Sequence, residues 1–179
     1  NRVAMWNRSA GNWQALGAGA GATVRALAVG PDGTLYVGGD FTTVAGVTIS
    51  AKYVAKYNAS TGGWAAMGSG VDGIVRALAV SGTSVYAGGD FETIANGATV
   101  AMHVAMWNGS AWMQVIDSGS QASRGGLGVS GTVYALAVDS QGWLSVGGEF
   151  HKSTKSPLGA LEAVLRADHV ACYSSGVWS

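Results

Sequence analysis

The sequence predicts an all-β chain assembled from repeated four-stranded antiparallel sheets, and three observations carry that expectation. Gly38-Gly39-Asp40-Phe41 returns as Gly88-Gly89-Asp90-Phe91 and again, with one change, as Gly147-Gly148-Glu149-Phe150. Val24-Arg25-Ala26-Leu27-Ala28-Val29 recurs as Val75-Arg76-Ala77-Leu78-Ala79-Val80 and as Val133-Tyr134-Ala135-Leu136-Ala137-Val138. Val3-Ala4-Met5-Trp6-Asn7, Val54-Ala55-Lys56-Tyr57-Asn58 and Val104-Ala105-Met106-Trp107-Asn108 lie upstream of Trp13, Trp64 and Trp112. A fixed period of about 50 residues marks an array of like supersecondary units, none of which can bury its apolar face alone.

Residues 24–67 give the reference unit. Val24 to Val29 is a short apolar strand, and Gly30-Pro31-Asp32-Gly33 turns it, because proline presets φ while Asp and Gly accept the unusual angles. Thr34-Leu35-Tyr36-Val37 restores β-branched and aromatic character and runs into Gly38-Gly39-Asp40-Phe41. A crossing loop leads to a third strand at Tyr53 to Tyr57. The turn Asn58-Ala59-Ser60-Thr61-Gly62-Gly63 then sends the chain into Trp64-Ala65-Ala66-Met67. Four short strands joined by hairpin-like connections result, with no helix.

Val-Arg-Ala-Leu-Ala-Val is apolar on both faces apart from its arginine, so each sheet is expected to be covered on both sides. Small residues on one strand and large aromatics on another suit face-to-face packing of twisted sheets. Radially stacked blades of a β-propeller meet these requirements; a β-sandwich is the alternative, but it leaves the near-identical units unexplained. The register places half a blade at 1–16, full blades at 24–67 and 75–115, and a blade at 133–179 carrying an insertion at 151–168. About three and a half blades are then present. Both ends read as falling inside strands, and no leader peptide is expected within these residues. The expectation is therefore an open segment of a longer ring, with self-association into a closed ring as the alternative.

Composition narrows the partners. Hydrophobic residues make up 48% of the 179 and charged residues 11%, so little of the chain can be solvated tail. The 29 glycines recur at matching repeat positions, which argues for turns and close packing and against a flexible linker. Ten basic residues balance ten acidic ones, and no basic stripe of the kind a nucleic acid requires is visible. No apolar run reaches the roughly 20 residues of a membrane helix, so membrane insertion is not expected. The single cysteine, Cys172, excludes an internal disulfide.

The string from Val24 to Asp72, with Gly33, Tyr36, Val37, the Gly-Gly-Asp-Phe motif and the Tyr-Val-Ala-Lys-Tyr-Asn run, resembles two related families. One is the bacterial delta-sixty β-propeller repeat. The other is the kelch-like propeller of secreted bacterial proteins and fungal cortical bud-site markers, whose blades carry an Asn-Gly-Ser-x-Trp turn; Asn108-Gly109-Ser110-Ala111-Trp112 is similar to that turn. The resemblance covers nearly the whole chain outside the insertion. It implies a repeat protein that is secreted or at the cell surface, of bacterial type, with a binding or structural task.

Candidate chemistry is sparse. Asp40, Asp90 and Glu149 occupy one repeat position, where a ring of carboxylates would suit Ca²⁺. The structural alternative is that each acid accepts hydrogen bonds from its adjoining loop and fixes the crossing. Gly38, Gly39, Phe41, Gly88, Gly89, Phe91, Gly147, Gly148 and Phe150 are expected to be frame positions around these acids. Arg25 and Arg76 share a position with Tyr134, and a lone charge in an apolar strand calls for a partner, most simply those carboxylates.

Asn7, Asn58 and Asn108 match the N-glycosylation pattern, although turn chemistry alone accounts for them. Of the seven tryptophans, all but Trp143 hold repeat positions and are expected to be largely buried between blades. Exposed indoles at equivalent positions would instead signal sugar stacking. The insertion is the least repetitive stretch. Ser156-Pro157 can start a short helix with Leu158, Leu161 and Leu165 on one side. His151, Lys152, Lys155, Glu162 and Arg166, together with Trp143, are the candidate binding residues. His151, His169 and Cys172 show no recognised metal-ligand spacing, so no metal or cofactor is expected.

No Gly-x-Ser-x-Gly elbow, His-Glu-x-x-His pair or phosphate loop is present, and three histidines do not supply the Tyr/His set of galactose-oxidase-type copper chemistry. The expected function is a non-catalytic extracellular binding or scaffolding module that engages a protein partner or itself. Carbohydrate binding is the alternative, and an enzyme with its site in blades outside this chain is a third.

Overall fold

The computed structural model describes residues 2–115, 128–150, 170–174 and 177–178. Within them the chain is all-β, apart from one 3-10 turn at Ala95–Gly97. The first hairpin pairs β1 (Ala4–Asn7) with β2 (Asn12–Ala15), and Trp6 stands opposite Trp13. Three four-stranded antiparallel sheets follow. The first contains β3 (Val24–Val29), β4 (Leu35–Gly39), β7 (Val54–Asn58) and β8 (Gly63–Ala66) in that spatial order. Its crossing loop holds a small hairpin, β5 (Thr43–Val44) with β6 (Ile49–Ser50).

The second sheet repeats the order with β9 (Val75–Ser81), β10 (Ser84–Gly89), β13 (Val104–Trp107) and β14 (Trp112–Gln114). Its crossing hairpin is β11 (Thr93–Ile94) with β12 (Thr99–Val100), closed by the 3-10 turn. The third sheet is β15 (Val133–Val138), β16 (Leu144–Gly148), β17 (Val170–Ser174) and β18 (Val177–Trp178). In each sheet the strands lie in chain order, as hairpin-joined segments with tight turns should.

The sheets stack through the residues that recur. β9 lies between β3 and β15. A Cβ added at Gly38 would run into Val75 and touch Leu78, and one added at Gly88 would run into Val133 and press on Leu136. Glycine there lets the valine and leucine of the next sheet sit against bare backbone, which is the close approach that a missing Cβ permits. The register of β3 with β4, β9 with β10 and β15 with β16 shifts at the same place, beside this contact. The shift turns Val75 toward the neighbouring sheet together with Leu78, although three residues along a regular strand would face opposite ways.

Three apolar clusters form the core, and each contains one of Phe41, Phe91 and Phe150, all fully buried. The phenylalanine of each Gly-Gly-acid-Phe motif is thus a core plug. Tyr53 and His103, at equivalent positions before the third strand, both adopt left-handed backbone, with φ of 65° and 62°. Each donates its N–H to the carbonyl of Phe41 or Phe91 at 2.8 Å and accepts from Gly39 or Gly89 at 3.0 and 3.1 Å. Two backbone bonds hold a conformation that costs an L-residue roughly 1–2 kcal/mol.

Coverage of the sheets differs from the expectation that every sheet is covered on both sides. On β9, Val75, Ala77 and Ala79 are buried and the intervening residues half-buried. On β3, Leu27 and Val29 stand 53% and 65% exposed. Their equivalents Leu78 and Val80 pack into the cluster shared with Tyr36 of the first sheet, and Leu136 and Val138 pack into the one shared with Tyr86 of the second. The same residue types are wet or dry according to whether another sheet lies in front of them. The expected helix near 156–166 lies outside the described residues. Among the described residues no helix is long and apolar enough to cross a membrane.

Candidate interaction surface

Two sets of side chains could carry function: a row of polar pairs along the first strands, and aromatic and aliphatic groups left open on the first sheet and its preceding hairpin. The polar row arises because Arg25, Arg76 and Tyr134 hold the second position of β3, β9 and β15, while the acid follows the end of the paired strand. Arg25 grips Asp40 with Nε and Nη2, the latter at 2.7 Å from Oδ2. Arg76 grips Asp90 in the same two-pronged way at 2.8 and 2.7 Å. In the third copy the Tyr134 hydroxyl donates to Glu149 Oε2 at 3.0 Å. The longer acid in this copy compensates for the shorter donor.

Adjacent pairs also meet. The Arg76 guanidinium lies 5.4 Å from the centre of the Tyr134 ring, within range of a cation–π attraction. The hydrogen bonds from Arg25 and Arg76 hold the carboxyls of Asp40 and Asp90 below the ordinary aspartate range, and those bonds raise both guanidinium pKa values. The bond to Glu149 raises the Tyr134 hydroxyl.

These acids do not gather into one oxygen cage. Asp40 and Asp90 each face their own arginine and Glu149 faces a tyrosine, so the row is a set of clamps between strand ends. Loop pinning falls partly to a residue that sequence reasoning passed over. Asp72 Oδ1 accepts from the N–H groups of Glu92 and Thr93, both at 2.9 Å, and Oδ2 accepts from the Thr93 hydroxyl at 2.7 Å. Burial pushes the Asp72 carboxyl up, but these bonds outweigh it and leave it below the ordinary range. The repeat alignment hid Asp72 because Gly21 occupies that place in the preceding unit, where the backbone bond to Thr43 is kept without a carboxylate.

The Asp90 clamp has a testable consequence. A carboxyl with a depressed folded-state pKa adds stability that is present above its unfolded value, about 3.9, and is lost as pH falls through the folded value. Asp32, Asp40, Asp72 and Asp90 all shift in this direction. Stability measured by urea titration should therefore be level from neutral pH to about 5 and fall below about 4. Asp90→Asn should cost about 1 kcal/mol at pH 7, because the pair is partly solvated and screened. It should also flatten part of the acid limb. An Asn variant with an unchanged acid profile would show that the clamp contributes nothing.

The tryptophans divide in a way that the sequence conceals. Trp64 and Trp112 are each 8% exposed. Their indole Nε1–H groups donate to the carbonyls of Leu16 and Met67 at 2.8 and 2.7 Å, each the residue that follows the last strand of the preceding unit. Trp107 is buried beside Trp112. Trp6 and Trp13 were expected to be buried like these, yet Trp13 is 70% exposed and Trp6 half-exposed. They remain paired edge to face with ring centres 5.5 Å apart. The difference is one of neighbours, since no described sheet lies in front of β1 and β2.

Of the candidate binding residues, Trp143 projects a half-exposed ring from a turn in which Asp139 Oδ1 accepts from the N–H groups of Gln141 and Trp143. His151, Lys152, Lys155, Glu162 and Arg166 lie outside the described residues, as does His169. Cys172 sits in β17 opposite Ser145, with Sγ 3.5 Å from Oγ. Asn58 Oδ1 accepts from the backbone of Ser60 and Thr61, and Asn108 Oδ1 from that of Ser110 and Ala111. Asn7 Oδ1 accepts from Ala10. Each asparagine is thus already engaged in shaping its turn. No protein-family model matches the chain, and no curated protein matches it in sequence.

Proposed function

We propose that the chain is a β-propeller segment, its four-stranded sheets serving as blades with the Val-x-Ala-Leu-Ala-Val strands innermost. It would work as a non-catalytic binding or scaffolding module of an extracellular or cell-surface protein. What supports the architecture is the repeated strand order and the adjacency of β3, β9 and β15. The observation that carries the function is the large apolar side chains left exposed, Leu27 and Val29 on the first sheet and Trp6 and Trp13 on the hairpin before it. Exposed apolar groups that gather into patches mark sites of protein association. Asp40, Asp90 and Glu149 are held by Arg25, Arg76 and Tyr134, so the acids serve the frame and not proton transfer.

A photo-crosslinking amino acid at Leu27, in the host's own extracellular fraction, tests the assignment. Cross-linked protein species should form from Leu27 and not from an equivalent probe at the polar turn position Thr61. Absence of any protein adduct at Leu27 would remove the support.

One observation favours a carbohydrate ligand instead. Beside the exposed Trp13 ring lies a concavity of about 340 Å³ lined by Arg2, Val3, Ala4, Gln14 and Ala15, an indole face next to polar groups. Calorimetric titration with mono- and oligosaccharides would show saturable heat, abolished in Trp13→Ala, if sugars are the ligand. The equivalents Trp64 and Trp112 are buried, so such a site would not repeat from unit to unit.

A further inference from the structure

Positions that recur hold the frame, so a frame position that carries a charge in one unit and not in the others calls for an explanation. Lys56 is such a position. It stands in the third strand where the other units have Met5, Met106 and Cys172, and the register places it between Tyr36 on β4 and Ala65 on β8. Tyr36 packs into the same cluster as Leu78 and Val80 of β9, so this face of the first sheet meets the second. The equivalent pair in the second sheet, Tyr86 beside Met106, packs into the apolar cluster shared with the third. At the first junction, where lysine replaces methionine, there is instead a concavity of about 270 Å³ whose lining includes Pro31, Asp32, Tyr36, Lys56, Thr83 and Trp107. A second concavity, of about 220 Å³, shares Asp32, Tyr36 and Lys56 with it.

The polar groups that meet there are not spent on one another. The Lys56 ammonium makes neither a hydrogen bond nor an ion pair among the described residues, and only its longer-range charge reaches Asp32. The hydroxyls of Tyr36 and Thr83 are likewise unbonded among the described residues. Asp32 is fixed in place, because Oδ1 accepts from the Thr34 N–H at 3.0 Å and Oδ2 from the Thr34 hydroxyl at 2.8 Å. Each of its oxygens keeps a further acceptor site. Acid and lysine coincide only in the first unit, since the chain between Val80 and Val85 carries no acid. A simple anion would be opposed by Asp32 and a simple cation by Lys56. A hydroxyl can accept from an ammonium and donate to a carboxylate at the same time, so a neutral ligand with several hydroxyls meets both charges. Few placed polar groups beside an apolar wall, here Pro31 and the edge of Trp107, are the usual make-up of a small-molecule site.

We propose that Lys56, Asp32 and Tyr36 form a binding site for a pyranose sugar at the junction of the first and second sheets. The site goes beyond the protein-binding function above, and it shares no lining residue with the concavity at Trp13.

The test titrates the full 179-residue chain with the methyl pyranosides of glucose, galactose, mannose and N-acetylglucosamine, followed by nuclear magnetic resonance of the indole N–H groups. At least one should bind saturably and shift the Trp107 resonance while leaving that of Trp13 in place. Lys56→Met installs the residue that the second unit carries, so it should fold with unchanged urea stability and bind about 10-fold or more weakly. Tyr36→Phe keeps the packed ring, removes the hydroxyl and should weaken binding about 3-fold or more. No saturable binding of any of the four sugars would overturn the proposal, as would equal binding to the Lys56→Met chain. Shifts confined to Trp13 would overturn it by placing the sugar on the hairpin. Acetate binding at Trp107 more tightly than every pyranoside would overturn it by assigning the lysine to an anion.

Discussion

Replacing Trp112 with alanine is expected to destabilise the protein by about 3–5 kcal/mol, the range for removing a large buried aromatic. The ring is nearly fully buried, lies 5.6 Å from the centre of Trp107, and reaches back to the Met67 carbonyl with its N–H. The cavity would therefore open between the first and second sheets, and the Met67 carbonyl would keep only its bond from the Gly70 N–H. Trp112→Phe separates the two terms, because it retains most of the apolar area and should cost about 1–2 kcal/mol for the lost hydrogen bond and ring volume. Trp13→Ala removes the same residue type from the equivalent place and should change stability by about 0.5 kcal/mol or less. Urea unfolding of the three variants supplies the comparison, and equal losses for Trp13→Ala and Trp112→Ala would contradict the layered packing.

Gly89→Ala should also be strongly damaging, costing about 2–3 kcal/mol through overpacking. Its Cβ would overlap the carbonyl oxygen of Ile74, a backbone atom fixed by the pairing of β9 with β10. Gly88→Ala meets the buried side chain of Val133 instead, which can yield more readily than a paired carbonyl, and about 1–2 kcal/mol is expected. The order of the two matters more than either value. A larger loss at Gly88 than at Gly89 would mean that the contact between sheets, and not the strand pairing within one, is the tighter constraint.

Much of the frame was legible because the units could be laid side by side. The glycine pair, the phenylalanine plug, the aromatic hairpin and the arginine opposite an acid recur, and recurrence separates frame from function. The expectation that Asp40 and Asp90 pin their loops through backbone bonds gave way to the two-pronged arginine clamp, the other partner considered for these acids. Spacing alone does not show which of two nearby donor sets a carboxylate will face.

Less could be read where identity of sequence hides difference of surroundings. Trp13, Trp64 and Trp112 are equivalent letters, and only the presence of a preceding layer decides which is dry. Leu27 and Leu78 differ for the same reason. Tyr53 and His103 carry no mark of left-handed backbone, since glycine would be the usual signal. Of the residues singled out for recognition, Trp143 is exposed, while the open surface lies on the first sheet and its hairpin at positions that read as core.

Hydrogen exchange of the indole N–H groups, followed by nuclear magnetic resonance, tests the stacked-sheet account most directly. Trp64 and Trp112 should exchange slowly, because each indole is buried and bonded to the carbonyl that ends the preceding unit, and Trp143 should exchange at the rate of a solvated indole. Exchange of Trp64 and Trp112 as fast as that of Trp143 would contradict the account, for the sheets would then not be locked together by the residues that repeat.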